Sequence, residues 1–200
     1  MFTGIISDVG EVVEMSRSGD IARLVVDSHY DAQGIALGAS IANSGVCLTV
    51  VARTPRNDGS RLAFDVGAET LAVTTFGALA PGARLNLERP LKIGDELGGH
   101  LVSGHVDGVV EIVARSDFEG MAKFRFRAPS ALSRFIATKG SVALDGTSLT
   151  VNAVEGDEFE VLLIPHTLAV TTWGERRIGD RVNLEVDQMA RYAARLAGQD

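Results

Sequence analysis

The chain has 200 residues and a mass of 21.1 kDa, with 46% hydrophobic, 22% charged and 6% aromatic side chains and a formal charge of −7. This composition excludes a disordered tail and predicts a soluble globular chain with one large or two small cores. The acidic balance, with no Lys/Arg block interleaved with aromatics, excludes a nucleic-acid partner and leaves small molecules as the ligands.

In chain order, MFTGIISDVG has neither the basic nor the apolar region of a secretory signal, and no apolar run reaches the roughly 20 residues of a membrane helix. Cys47, the one cysteine, has no internal disulfide partner, so the expectation is a cytoplasmic protein away from the membrane. Strands are predicted at 22–26, 40–42, 47–51, 61–66 and 84–88, short runs rich in Val, Leu, Ile and Thr. Turn signals separate them at Ser18-Gly19-Asp20, Ser44-Gly45, Asn57-Asp58-Gly59 and Pro81-Gly82. About six short strands in under about 100 residues suit a small closed barrel.

The second half then repeats the first. TLAVTT stands at 70–75 and again at 167–172, and such self-similarity at domain scale reads as a duplicated unit. Gly82-Ala83-Arg84-Leu85-Asn86-Leu87-Glu88 answers Gly179-Asp180-Arg181-Val182-Asn183-Leu184-Glu185, and the segments at 40–50 and 141–151 align. So do Thr3-Gly4-Ile5-Ile6 with Ser103-Gly104-His105-Val106, and Glu11-Val12-Val13 with Glu111-Ile112-Val113. A boundary near Gly98-Gly99 divides the chain into barrels at 1–97 and 98–186. A short helix is expected after Ser130-Ala131-Leu132. Residues 187–200 read as a helix capped by Asp187, with Val186, Met189, Ala193 and Leu196 or Ala197 at helical spacing. That stripe packs either on its own domain or on a neighbouring chain.

The opening MFTGII, GVCLTV at 45–50, GGHLVSGHVDG at 98–108, DGTSLTV at 145–151 and IPHTL at 164–168 together resemble the riboflavin synthase alpha-chain family of lumazine-binding double barrels. The resemblance implies an all-β fold of two tandem six-stranded Greek-key barrels and a C-terminal helix that holds a homotrimer together. It implies a transferase that dismutates two 6,7-dimethyl-8-ribityllumazine molecules, moving a four-carbon unit to give riboflavin and 5-amino-6-ribitylaminouracil, without metal or added cofactor. It further implies sites between chains and association with lumazine synthase. A noncatalytic lumazine or flavin carrier is the alternative, although carriers depart from the GGHLVSGH and DGTSLT motifs intact here. A flavin reductase would need a nicotinamide-binding domain for which no residues remain.

The reaction needs groups that shuttle protons near neutral pH. His105, expected on the first strand of the second barrel where the first has Ile5, is the leading candidate, against a merely structural strand-end histidine. His100 has no counterpart and reads as a support or positioning residue. Cys47 is open to two readings, a nucleophile or a buried structural cysteine. The resemblance places Cys47 and Ser40 in the first barrel's site. His100 and His105 are spaced for opposite strand faces, and with one cysteine they leave no metal site; His29 sits in a polar, solvated stretch. Backbone groups of Cys47, Leu48, Thr49, Ser148, Leu149 and Thr150 suit the alternating donors and acceptors of a pteridine edge. Lys139 and Asp145 are either solvated surface or contacts to ribityl or ring carbonyl. The resemblance adds Gly4, Ile5, Ile6, Asp65, Val66, Gly67, Ala68, Glu69 and Thr70 as binding residues. In the second half it adds Gly104, Val106, Ile164, Pro165, His166, Thr167, Leu168 and Ala169. Positions shared between halves then bind, while those that differ, such as Ile5/His105, Cys47/Ser148, Glu69/His166 and Gly38/Lys139, carry the chemistry.

Overall fold

In the computed structural model, which describes residues 1–198, each half closes into an antiparallel six-stranded barrel. The first contains β1 (Asp8–Ser18), β2 (Ile21–Ser28), β3 (Ser40–Asn43), β4 (Val46–Arg56), β5 (Gly59–Gly67) and β6 (Arg84–Glu88). Their order around the barrel is β1-β2-β5-β4-β3-β6, in which β2 returns beside β5 as a Greek key. The second repeats that order with β7 (Gly108–Phe118), β8 (Met121–Arg127), β9 (Ser141–Leu144), β10 (Thr147–Glu155), β11 (Glu158–Leu163) and β12 (Arg181–Val186). All five predicted strands are present. The strand the sequence reading left out is β1, whose register shifts between Val12 and Glu14 and so breaks the alternation that marks a strand.

Among the described residues four short α-helices accompany the barrels: α1 (Ala68–Val73), α2 (Ser130–Ser133), α3 (Pro165–Val170) and α4 (Gln188–Leu196). The helix expected to follow Ser130-Ala131-Leu132 is that segment itself. Asp187 caps α4, its carboxylate accepting from the Met189 N–H at 2.9 Å. No helix among the described residues is long and apolar enough to cross a membrane.

Both barrels are filled by side chains. Val12, Leu24, Ile41, Leu48, Leu62, Phe64 and Phe76 are buried in the first, and Ile112, Phe124, Phe126, Phe159 and Trp173 in the second. Each such group contributes about 1.5–3 kcal/mol by leaving water. Trp173 occupies the place of Phe76, meets Phe124 and Phe126 edge-on, and donates its indole N–H to Thr147 Oγ1 at 3.0 Å. Ligand sites therefore lie outside the barrels.

The two barrels meet across a local two-fold, visible as reciprocal contacts. Phe2 and Val102 exchange backbone hydrogen bonds of 2.7 and 3.0 Å, and with Ala42 and Ala143 they form a small core of their own. Asn86 Nδ2 donates to the Asp145 carbonyl while its Oδ1 accepts from the Thr172 N–H. Asn183 does the same with the Ser44 carbonyl and the Thr75 N–H. Thr75 and Thr172 end the repeated TLAVTT strings. The threonine before each caps the turn: Thr74 Oγ1 accepts from Phe76 N–H and Thr171 Oγ1 from Trp173 N–H.

At the centre Gly45 and Gly146, with φ of +82° and +78°, bring backbone against backbone. A Cβ on Gly146 would lie 2.7 Å from the Gly45 nitrogen. Gly146→Ala therefore adds left-handed backbone strain to a steric clash and is expected to cost about 2–4 kcal/mol, measured by chemical denaturation. A loss within about 0.5 kcal/mol, the range of a neutral surface change, would show that the seam yields.

Candidate functional site

Strand alternation sends Leu48 inward and sets Ser40, Ala42, Cys47 and Thr49 on the outer face, where Ser40 pairs with Thr49 and Ala42 with Cys47. In the second half Ser141, Ala143, Ser148 and Thr150 are set out alike, Ser148 opposite Ala143 and Thr150 opposite Ser141. Both faces are flanked by the end of the adjacent strand and the helix that follows. Val50 pairs with Phe64 and leads to Asp65, Val66, Gly67 and the α1 residues Ala68, Glu69 and Thr70. Val151 pairs with Val161 and leads to Ile164 and the α3 residues Pro165, His166, Thr167, Leu168 and Ala169.

The remaining candidates arrive crosswise. The Gly104 carbonyl accepts from Cys47 N–H at 2.8 Å, so Gly104, His105 and Val106 of the second half complete the face of the first; Val106 packs on the first barrel's core. The Gly4 carbonyl accepts from Ser148 N–H at 2.8 Å, so Gly4, Ile5 and Ile6 complete the face of the second. Both glycines have positive φ, and a Cβ on either would strike Ser148 or Cys47 at 2.5 Å. The Cys47 and Ser148 N–H groups, expected to meet a pteridine edge, are taken by these bonds.

The structure revises the expected setting of His105. It precedes β7, which begins at Gly108, and lies exposed in an irregular segment rather than on a strand. Its backbone N–H donates to Glu185 Oε2 at 2.9 Å. His100 is half-buried, its Nδ1 2.6 Å from Ser148 Oγ and its N–H on the Thr3 carbonyl. Burial holds the His100 imidazole below its ordinary pKa, opposed by the nearby Asp187 carboxylate. A neutral ring protonated on Nε2 accepts the Ser148 hydroxyl proton at Nδ1.

Asp145 is corrected from solvated surface to the buried seam: it is 1% exposed, its carboxylate engaged by Arg176 and by Asn183 N–H. Burial raises its carboxyl, with Arg176 opposing. Lys139 is exposed and takes φ +67° where the first half has Gly38 at +82°, a left-handed conformation uncommon for a residue other than glycine. His29 is solvent-facing, with Nδ1 on Asp8 at 2.8 Å. Among the described residues no three of His, Cys, Asp and Glu gather as a metal-holding group.

Two residues outside the candidate set govern the crossing segments. Glu88 and Glu185, 5% and 2% exposed, accept from the N–H groups of Thr3 and Gly4 and of Ser103, Gly104 and His105. Burial raises both carboxyls while these donors oppose it. Their signal in the sequence is the glutamate that closes both copies of the repeated block at 82–88 and 179–185.

Comparison with known proteins finds the family model "Lumazine binding domain" matching residues 3–90 and 103–187. The chain is 57% identical to the riboflavin synthase of Brucella abortus (strain 2308) and 47% to that of Mycobacterium bovis (strain ATCC BAA-935 / AF2122/97), each over 98% of both chains. A solved structure of LumP complexed with riboflavin superposes with a TM-score of 0.81 at 25% identity, covering 93% of this chain and 99% of that one. A LumP complex with 6,7-dimethyl-8-(1'-D-ribityl) lumazine gives 0.80 at 23% over the same shares, a likeness of fold.

The half-buried imidazole has a measurable signature. His100 titrates from 6.5 in the unfolded chain and lower in the folded one, so below that pH the unfolded state binds more protons and folding stability is lost as pH falls. His100→Asn is expected to flatten the decline in denaturation free energy between about pH 7 and 5; parallel curves for the two proteins would contradict it.

Proposed function

Because the chain belongs to the lumazine binding domain family, we propose that its two crosswise faces each hold one lumazine and differ in the chemistry they offer. The activity is that of a riboflavin synthase, an enzyme of the transferase class. Two 6,7-dimethyl-8-ribityllumazine molecules exchange a four-carbon unit to give riboflavin and 5-amino-6-ribitylaminouracil. The observation that carries the assignment of two pockets is the paired scaffold with unlike side chains: one face has Ser40, Cys47 and Thr49 with His105 across it, the other Ser148 and Thr150 with His100 and Ile5. A dismutation needs two like binding sites with unlike roles, and this arrangement supplies both.

The first step removes a proton from a ring methyl whose acidity the electron-poor pteridine raises. His105 is positioned to take that proton and His100, hydrogen-bonded to Ser148, to relay one at the other lumazine. Lys139 offers its ammonium to a ring carbonyl or the developing ring anion, and the residues of α1 and α3 close over the ligands. Purified protein given the lumazine alone is expected to form riboflavin and the pyrimidine in equal amounts, unchanged by EDTA. Stable fluorescent binding without turnover would favour a carrier; loss of turnover on chelation would refute the metal-free route.

Both faces are open in the single chain, with Ile5 50% and Ile164 53% exposed. On α4, Met189, Tyr192 and Leu196 are 71%, 63% and 90% exposed, while Ala190, Ala193, Ala194 and Ala197 line a groove beside Arg134 and Phe135. We infer a homotrimer joined through the outer face of α4, in which the first barrel of one chain faces the second barrel of its neighbour and stacks the two lumazines. Its setting is the cytoplasm. Truncation before Asp187 is expected to give smaller species by sedimentation and to weaken turnover while the barrels still fold. Full assembly and full activity of the truncated chain would exclude α4 from the interface.

A further inference from the structure

At or next to the end of its last strand each half carries a buried glutamate whose carboxylate accepts from one short segment. Glu185 Oε1 accepts from the Ser103 N–H at 2.7 Å, and Oε2 from the Gly104 and His105 N–H groups at 2.9 Å each. Three consecutive backbone donors on one carboxylate fix the peptide planes from which the His105 side chain departs. The same segment is held from its other side, since the Gly104 carbonyl accepts from Cys47 N–H at 2.8 Å. Beyond it, Asp107 accepts from Val186 N–H at 2.9 Å and from Arg191 of α4 at 2.8 Å. Glu88 is the counterpart, taking the Thr3 N–H and hydroxyl at 2.6 and 2.7 Å and the Gly4 N–H at 2.9 Å, but the segment it holds carries Ile5 where the other carries an imidazole.

We propose that Glu185 is a positioning residue for His105: a carboxylate of the second barrel sets where the imidazole stands over the first barrel's pocket. The proposal rests on the reading of His105 as a proton carrier. A carboxylate only accepts, so it satisfies three N–H donors that no neutral isostere can match. A glutamine of nearly equal volume must point an NH2 group at one of them. The segment then shifts by a fraction of an ångström, enough to take a proton-transfer group out of line.

A double-mutant cycle of Glu185→Gln with His105→Ala, read as kcat and KM, tests this. Glu185→Gln alone is expected to lower kcat by about tenfold or more with KM within about twofold. In the His105→Ala background it is expected to lower kcat no further. Glu88→Gln is expected to lower kcat by the same factor in both backgrounds, since it acts on the other pocket. Equal fractional losses from Glu185→Gln in both backgrounds would mean a general structural role and overturn the proposal. Full turnover by His105→Ala alone would overturn the reading of His105 instead. Should Glu185→Gln not fold, Glu185→Asp, which keeps the charge and withdraws it by one methylene, is read in the same cycle. The His105 imidazole proton resonance is then expected to move while that of His29 stays fixed.

Discussion

Two buried asparagines hold the molecule in register with itself. Asn86 and Asn183, each 1% exposed, use both ends of the amide across the seam, donating to a β-turn carbonyl of the other half and accepting an N–H from the turn after its short helix. Releasing one would strand buried polar groups at about 1–3 kcal/mol apiece. With the amides engaged, the glycine turns must touch, Phe2 must lie beside Val102, and each crossing segment must reach the far barrel. The placement of Gly4, Ile5, Gly104 and His105 on the opposite barrel's face follows from that orientation.

The same symmetry makes the differences informative. Where the first half puts Ser44 against the seam and Leu79 after the short turn, the second puts Asp145 and Arg176, which pair. A buried ion pair in place of a serine and a leucine is poor evidence of added stability, because desolvation offsets most of the attraction. The exchange of Cys47 for Ser148 and Ile5 for His105 takes place on open faces instead. Each half thus keeps the asparagines and glycines of the seam, differs there by one buried ion pair, and differs again on the open faces.

Much of this could be read from residue order. The barrels followed from short β-rich runs and regular turns, and the duplication from TLAVTT and the block ending in Glu88 and Glu185. What the strings meant physically could not be read. The repeated residues are conspicuous because they bind the two halves to each other, with Thr75 and Thr172, Asn86 and Asn183, Gly45 and Gly146 all at the seam. Asp145 could be read as solvated surface or as a ligand contact, because residue order alone does not separate a buried charge from an exposed one. The crosswise placement of Gly4 and Gly104 has no local signal, because a hydrogen bond between Gly4 and Ser148 leaves neighbouring residues unconstrained. The helices α1 and α3 are too short for periodicity to mark.

The crossing segments also impose an order on synthesis. All six strands of the first barrel lie within residues 8–88, so that barrel can close while the ribosome is still making the rest. Phe2, fully buried in the finished protein, has its partner at Val102, and Gly4 has its partner at Ser148. At ordinary ribosomal elongation rates the interval between these events is on the order of several seconds. Throughout it a closed barrel carries an uncovered phenylalanine and a face without Gly104 or His105. A nascent chain paused in that window would present an apolar handle to a chaperone and no usable pocket to a ligand.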